Sequence, residues 1–110
     1  MDKQLMRELE MLHNGVCDGL GDPKRVMIIY LLAEAPLFVN EIASALNLPQ
    51  GTVSRHLKIL RDCELVETTR QANSISYALA DPRIVQALDL MRSMLHDRLV
   101  KHAQLVEANS

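Results

Sequence analysis

Residues 39–66 read VNEIASALNLPQGTVSRHLKILRDCELV. This stretch predicts a short helix, a tight turn and a second helix with a polar face. Asn40 has the side chain of a helix N-cap, whose oxygen can accept from the first free backbone N–H groups. Ile42 and Leu46 are four apart and share a face. Asn47-Leu48-Pro49 then stops the helix, because a residue before proline avoids the helical region. Pro49 suits the first turn of the next helix, where a missing N–H costs nothing. There Val53, Leu57 and Leu60 follow the i, i+4, i+7 spacing of an inward stripe. Gln50, Thr52, Ser54, Arg55, His56 and Lys58 are left for the other faces. Two helices joined this way form a helix-turn-helix pattern.

Upstream, Leu5, Leu9, Leu12 and Val16 recur at helical spacing and predict a first helix from about Lys3 to Val16. Gly15, Gly19 and Gly21 loosen its end. Asp22-Pro23 starts a second helix, with aspartate as N-cap and proline at the first position. Val26, Ile29, Tyr30 and Ala33 are its expected buried stripe, and Pro36 ends it. Downstream the period changes to two. LVETTR (65–70) is rich in β-branched residues, and SISYAL (74–79) alternates Ile75, Tyr77 and Leu79 on one face. Gln71-Ala72-Asn73 makes the turn between them, with Asn73 suited to positive φ. A hairpin directly behind such a helix is a wing.

Asp81-Pro82 opens a last helix. Ile84, Leu88, Met91, Leu95, Leu99, His102 and Val106 mark one stripe along it for about six turns. A small domain has nothing to cover that length, and the first helix has a leftover stripe too. A second copy covers both, giving a two-fold homodimer with an isologous interface. The tail after Val106 is expected to fray.

Composition bounds the function. The chain has 110 residues, 48% hydrophobic and 24% charged, which suits one domain over 1–110 and excludes global disorder. Aromatics are 3% with no Trp, which argues against a stacking platform for single-stranded nucleic acid. The net charge is −2, so nucleic-acid binding must rest on local clustering. Arg55, Lys58, Arg61 and Arg70 supply that cluster. Two cysteines distant in sequence make no disulfide framework and fit a reduced, cytoplasmic setting. No apolar run approaches the ~18 residues that span a bilayer, so no membrane partner is expected. MDKQLMRELE lacks the apolar region of a signal peptide.

With these elements in place, GLGDPKRVMIIYLL, EIASALNLPQGTVSRHLKILRDCELVETTR and ISYALADP, in this order, resemble the ArsR/SmtB family of bacterial transcriptional repressors. Ser54, His56 and Leu57, followed by Leu60-Arg61 and Leu65-Val66, carry the most specific part. The resemblance implies a mainly α, winged helix-turn-helix homodimer of about five helices and two strands. It also implies binding to double-stranded operator DNA and release by a metal ion, an arsenical or a thiol-reactive signal. The family's sensing motifs are altered here. Where one branch holds a C-x-C pair, this chain has Phe38 and Asn40. Where another holds D-x-H and H-x-x-H or H-x-x-E, it has Asp81 and Arg83, then Met94 and Asp97; Arg83 and Met94 cannot replace imidazole. A cadmium-sensing branch has a C-x-x-x-C pair, matched here by Ile59 and Cys63. Branches sensing persulfide place a cysteine where this chain has Tyr30.

The expected DNA contacts are Gln50, Thr52, Ser54, Arg55 and His56 at base edges or flanking phosphates, since arginine pairs bidentately with guanine and glutamine with adenine. Lys58 and Arg61 suit phosphates, which position without reading sequence. Arg70 and Gln71 lie on the wing. His13 and Cys17, four apart on one helix, have the spacing of two metal ligands, but a third must come from elsewhere. Cys17 and Cys63 are candidate sensor thiols. Asp89 and His96 share a face of the last helix. No nucleophile–base pair, phosphate loop or metal triad supports an enzyme. A winged-helix module that binds protein rather than DNA is the competing class, and it predicts no salt-dependent DNA affinity.

Overall fold

The computed structural model describes residues 1–109. Its elements are α1 (Lys3–Leu12), α2 (Pro23–Glu34), β1 (Leu37–Phe38), α3 (Val39–Leu46), α4 (Gln50–Asp62), β2 (Val66–Gln71), β3 (Ser74–Leu79) and α5 (Arg83–Ala108). A π-helical turn, His13–Cys17, prolongs α1. The winged helix-turn-helix is therefore present, with five helices and the expected hairpin.

The helix-turn-helix is closed by the same device at both helix ends. Asn47 takes a left-handed conformation (φ 53°) and Glu64 does likewise (φ 59°). In each case the next N–H reaches back to a carbonyl of the last turn: Leu48 N to Ala43 O at 3.0 Å, and Leu65 N to Leu60 O at 2.9 Å. These are Schellman closures, which satisfy carbonyls that a helix end leaves orphaned. The first lets α4 leave at a sharp angle to α3. The second turns the chain straight into β2.

Val53, Leu57 and Leu60 are fully buried, as the spacing predicts, and meet Ile28, Ile29 and Ile42 in one core that Leu32, Ala43, Leu65, Val66 and Leu88 complete. Burying each large aliphatic side chain stabilises by about 1.5–3 kcal/mol. The phase of α2 differs from the expected stripe: Ile28, Ile29 and Leu32 are buried, Val26 and Tyr30 are half-buried, and Ala33 is exposed. Residues 26–33 are uniformly apolar apart from the phenol of Tyr30, so α2 has no polar face to set its rotation. Its neighbours decide it. Asp22 caps α2 as expected, its carboxylate accepting from Lys24 N at 2.8 Å.

Three further expectations are corrected. Asn40 is not a cap: Phe38 is, so α3 begins two residues earlier than expected, and Glu41 Oε1 accepts from Phe38 N at 2.9 Å to satisfy the entry. The wing is three-stranded, in the order β1-β3-β2, because Leu37 and Phe38 pair antiparallel with Tyr77 and Ser76. At the hairpin tip Ala72, not Asn73, takes positive φ (54°). Ile75 projects beyond the core near that tip, and Ser76 is the buried residue of β3, its hydroxyl donating to Thr69 O at 3.4 Å.

The connection between α1 and α2 is tightly packed. A Cβ placed on Gly19 would lie 2.7 Å from Leu65 Cδ1 and 3.3 Å from Cys63 Sγ. Gly19→Ala is therefore expected to destabilise by about 1–3 kcal/mol through overpacking, read as a lower midpoint in thermal unfolding. Gly15→Ala, where nothing lies within 4 Å, is the matched control.

Candidate nucleic-acid interface

The burial of Val53, Leu57 and Leu60 fixes how α4 meets solvent. With 100° per residue, the direction opposite them falls on Gly51, Arg55 and Asp62, with Lys58 beside them, all exposed. Gln50, Ser54 and Arg61 occupy one flank and are exposed; Thr52 and His56 occupy the other and are half-buried. Gly51 has open space around it. Arg55 Nη2 donates to Thr52 Oγ1 at 3.3 Å, which draws that side chain along the helix towards its N-terminal end.

The wing extends the same surface. Arg70 and Gln71 end β2, pair with Ile75 and Ser74, and are exposed. A cleft of about 550 Å³ runs from the start of α4 to the hairpin and is lined in part by Asn40, Gln50, Asn73 and Ser74. So the structure joins Gln50 to the wing through one polar cleft. Lys58 and Arg61 lie further along α4. The sequence reading missed Asn40, Asn73 and Ser74 as members of this surface. Asn40 had an apparent capping role that hid it, and the other two became neighbours of Gln50 only through sheet pairing.

His56 also has a partner within the protein. Its Nδ1 lies 3.1 Å from Nη1 of Arg25, on α2. Burial, with help from the nearby cations Arg25, Lys24 and Arg55, holds its pKa below the usual histidine value against the opposing pull of Asp22. It is thus a packed, neutral ring on the flank of α4 with one nitrogen already engaged.

The candidate sensor residues are not brought together. His13 and Cys17 are exposed on the π-helical turn, where Asp18 N bonds to His13 O in the i→i+5 pattern. His13 Nδ1 contacts Asn14 Oδ1 at 3.2 Å. Cys63 is half-buried beside Gly19, and both thiols are free. Among the described residues no three His, Cys, Asp or Glu side chains are grouped to hold a metal ion. Asp81 instead binds Arg83 through both oxygens, at 2.7 and 3.0 Å to Oδ2 and 3.1 Å to Oδ1, which holds its carboxyl down to about 2. Asp89 is also occupied: it accepts from Tyr30 Oη at 2.6 Å and from Arg92 Nη1 at 3.2 Å. Arg92 lies 5.3 Å from the Tyr30 ring centre. Burial, then the hydrogen bond to Asp89, raises the Tyr30 pKa.

No described helix is long and apolar enough to cross a membrane. The profile of the bacterial regulatory protein, arsR family, matches residues 22–68, the whole of α2 to α4 and the start of the wing. The HTH-type transcriptional regulator CmtR of Mycobacterium bovis is 36% identical over 83 residues, 76% of this chain and 69% of that protein. The chain belongs to the arsR family. Another member, the HTH-type transcriptional regulator NmtR of Mycobacterium tuberculosis, is 40% identical over 71 residues, 64% of this chain; the match spans 59% of NmtR. Among solved structures, NolR from Sinorhizobium fredii superposes with a TM-score of 0.74 at 26% identity, covering 86% of this chain and 93% of NolR. The family match takes in Gln50, Thr52, Ser54, Arg55, His56, Lys58 and Arg61, but Arg70 and Gln71 fall beyond it.

Proposed function

We propose that this arsR-family protein is a dimeric transcriptional repressor of the cytoplasm, with no catalytic role, that reads double-stranded operator DNA through α4 and its wing. The observation that carries this reading is the exposed face of α4. Arg55 and Lys58 lie on its outward side, with Asp62 at its far end and a glycine between the helix start and Arg55 that lets DNA approach closely. In this reading Arg55, Gln50 and Ser54 meet base edges in the major groove. Lys58 and Arg61 meet phosphates, and Arg70 and Gln71 follow the backbone or minor groove from the wing.

Release then works on the dimer. Among the described residues of one protomer no three-ligand metal group is formed, so a metal signal would draw ligands from both subunits. A thiol-reactive signal would act at Cys17 or Cys63. In either case the signal shifts the spacing of two recognition helices, a coupling typically worth ~1–3 kcal/mol.

The test is Arg55→Ala, assayed by titration against the DNA upstream of the protein's own gene. Affinity is expected to fall by about 10- to 100-fold, the value of a good arginine–guanine pair, with dimerisation retained. The wild type should show a steep negative slope of log K against log salt. A flat salt dependence would favour the protein-binding alternative, and unchanged affinity in the variant would remove Arg55 from the interface.

A further inference from the structure

Arg25 sits in the first turn of α2, yet it reaches the recognition helix. Its guanidinium makes three contacts. Nε donates to Gly19 O at 2.8 Å, Nη2 donates to Asp18 O at 3.4 Å, and Nη1 faces His56 Nδ1 at 3.1 Å. One half-buried side chain thus ties the end of the α1 segment to the middle of α4.

The chemistry of this contact is one-sided. A guanidinium carries donors only and keeps its charge throughout the accessible pH range. The contact is a hydrogen bond only when His56 Nδ1 offers a lone pair. The ring must then be neutral with its proton on Nε2, because the bond at one nitrogen decides the state of the other. That leaves an N–H as the remaining polar group, on the flank that His56 shares with Thr52. From that flank the N–H can reach a phosphate of the DNA backbone, a contact that positions the protein without reading sequence. The charges around the ring are Arg25, Lys24 and Arg55, which oppose a second proton, and Asp22, which favours it.

We propose that Arg25 is a positioning residue for DNA binding: it occupies Nδ1 of His56, fixes the ring as the neutral Nε2–H form, and directs that N–H as an uncharged donor to a DNA phosphate. This rests on the reading of α4 as the DNA-contacting helix. It has an unusual consequence. A histidine that binds phosphate as a cation gains affinity as pH falls. Here a second proton removes the acceptor and sets two cations face to face, so the tie between α2 and α4 breaks and affinity falls on acidification.

Two measurements test it on the full-length protein. Ring-nitrogen NMR, free and bound to the DNA upstream of its own gene, is expected to show His56 with Nδ1 unprotonated and Nε2 protonated. A proton on Nδ1 in the complex overturns the proposal. Titrations at constant salt from about pH 8 down to about pH 5.5, across the histidine range, should show wild-type affinity falling by about tenfold, the value of one hydrogen bond to a charged group. Arg25→Met should be about tenfold weaker at the upper end and should not weaken further on acidification. Arg25→Lys, which keeps a donor, should lie between the two. Wild-type binding that tightens on acidification, or Arg25→Met binding like wild type, overturns the proposal. Should Arg25→Met fail to fold, His56→Gln supplies the same reading: it keeps an amide acceptor and donor but cannot titrate, so its loss of affinity on acidification should vanish, and a persisting loss overturns the idea. A wild type with no DNA affinity at any pH sinks the DNA reading itself, and this proposal with it. A cationic His56 in a protein that does bind sinks the proposal alone.

Discussion

Replacing Leu95 and Leu99 together by glutamate is expected to convert the protein to a monomer and to lower operator affinity by at least a hundredfold. The argument starts from what α5 leaves uncovered. It is 26 residues long, about 39 Å at 1.5 Å per residue, and Leu88 is its buried residue. Beyond Leu88 its stripe faces water, with Leu95 at 51% exposure, Leu99 at 61% and Val106 at 68%. No residue of α1 is buried either, and its Leu5 and Leu9 stand 41% and 44% exposed. A monomeric soluble protein rarely shows so continuous an apolar surface. A two-fold pairing of α5 and α1 with the same elements of a second copy removes it from water. Four glutamates at the centre of such an interface, two per subunit, would be buried charges without partners, a much larger penalty than the lost contacts. The second half-site then ceases to be intramolecular, and linkage of two binding events is typically worth 10²- to 10⁴-fold. Sedimentation or light scattering reads the oligomer, and a titration reads the affinity. A double variant that stays dimeric at micromolar concentration would place the interface elsewhere.

How much of this was legible beforehand depended on whether a residue's role was local. Asp22-Pro23 announces the start of α2 because capping is decided within four residues. Val53, Leu57 and Leu60 announce their burial because α4 has a polar face to contrast with them. Residues 26–33 have almost no such contrast, so the rotation of α2 came from packing, and Ile28 rather than Val26 went inside. Leu37-Phe38 is too short to carry a period, and it becomes a strand only by pairing with Tyr77 and Ser76. Asn40 and Glu41 compete for the same entry, and the longer carboxylate reached Phe38 N. At the wing, the turn needed positive φ one residue earlier than the best-suited side chain.

The candidate site divides the same way. Gln50, Ser54, Arg55, Lys58 and Arg61 were readable because helix periodicity alone puts them on solvent. Asn73 and Ser74 required the sheet. The Arg25–His56 contact spans 31 residues and links two polar side chains, so no hydrophobic pattern betrays it. The spacing of His13 and Cys17 is local and was readable, but a third ligand is not, and among the described residues none is grouped with them.

Leu57→Ala is expected to destabilise the fold by about 2–5 kcal/mol, the range for truncating a buried leucine. Leu57 is fully buried, as are Val53 and Leu60 beside it and Ile28, Ile29 and Ile42 across the core. Its loss would open a cavity at the point where α4 meets α2 and α3. α3 and α4 end in Schellman closures and are joined by Leu48-Pro49, so their backbones have little freedom to collapse into the space. The cost should therefore fall in the upper part of the range. Against a typical total of about 5–15 kcal/mol, that is a large fraction of the stability of the domain. Ile59→Ala removes a similar volume from the same helix, but Ile59 is 40% exposed, and its cost should stay near or below about 1 kcal/mol. Denaturant titrations of both variants, at one protein concentration because a dimer's midpoint depends on it, separate the two cases. Operator affinity under conditions where Leu57→Ala is still folded should drop as well. The inward stripe sets the rotation of α4, and with it the direction in which Arg55 and Lys58 are presented. Equal costs for the two substitutions would mean that α4 is not anchored through Leu57, and that its DNA-facing side is not the one derived from its burial.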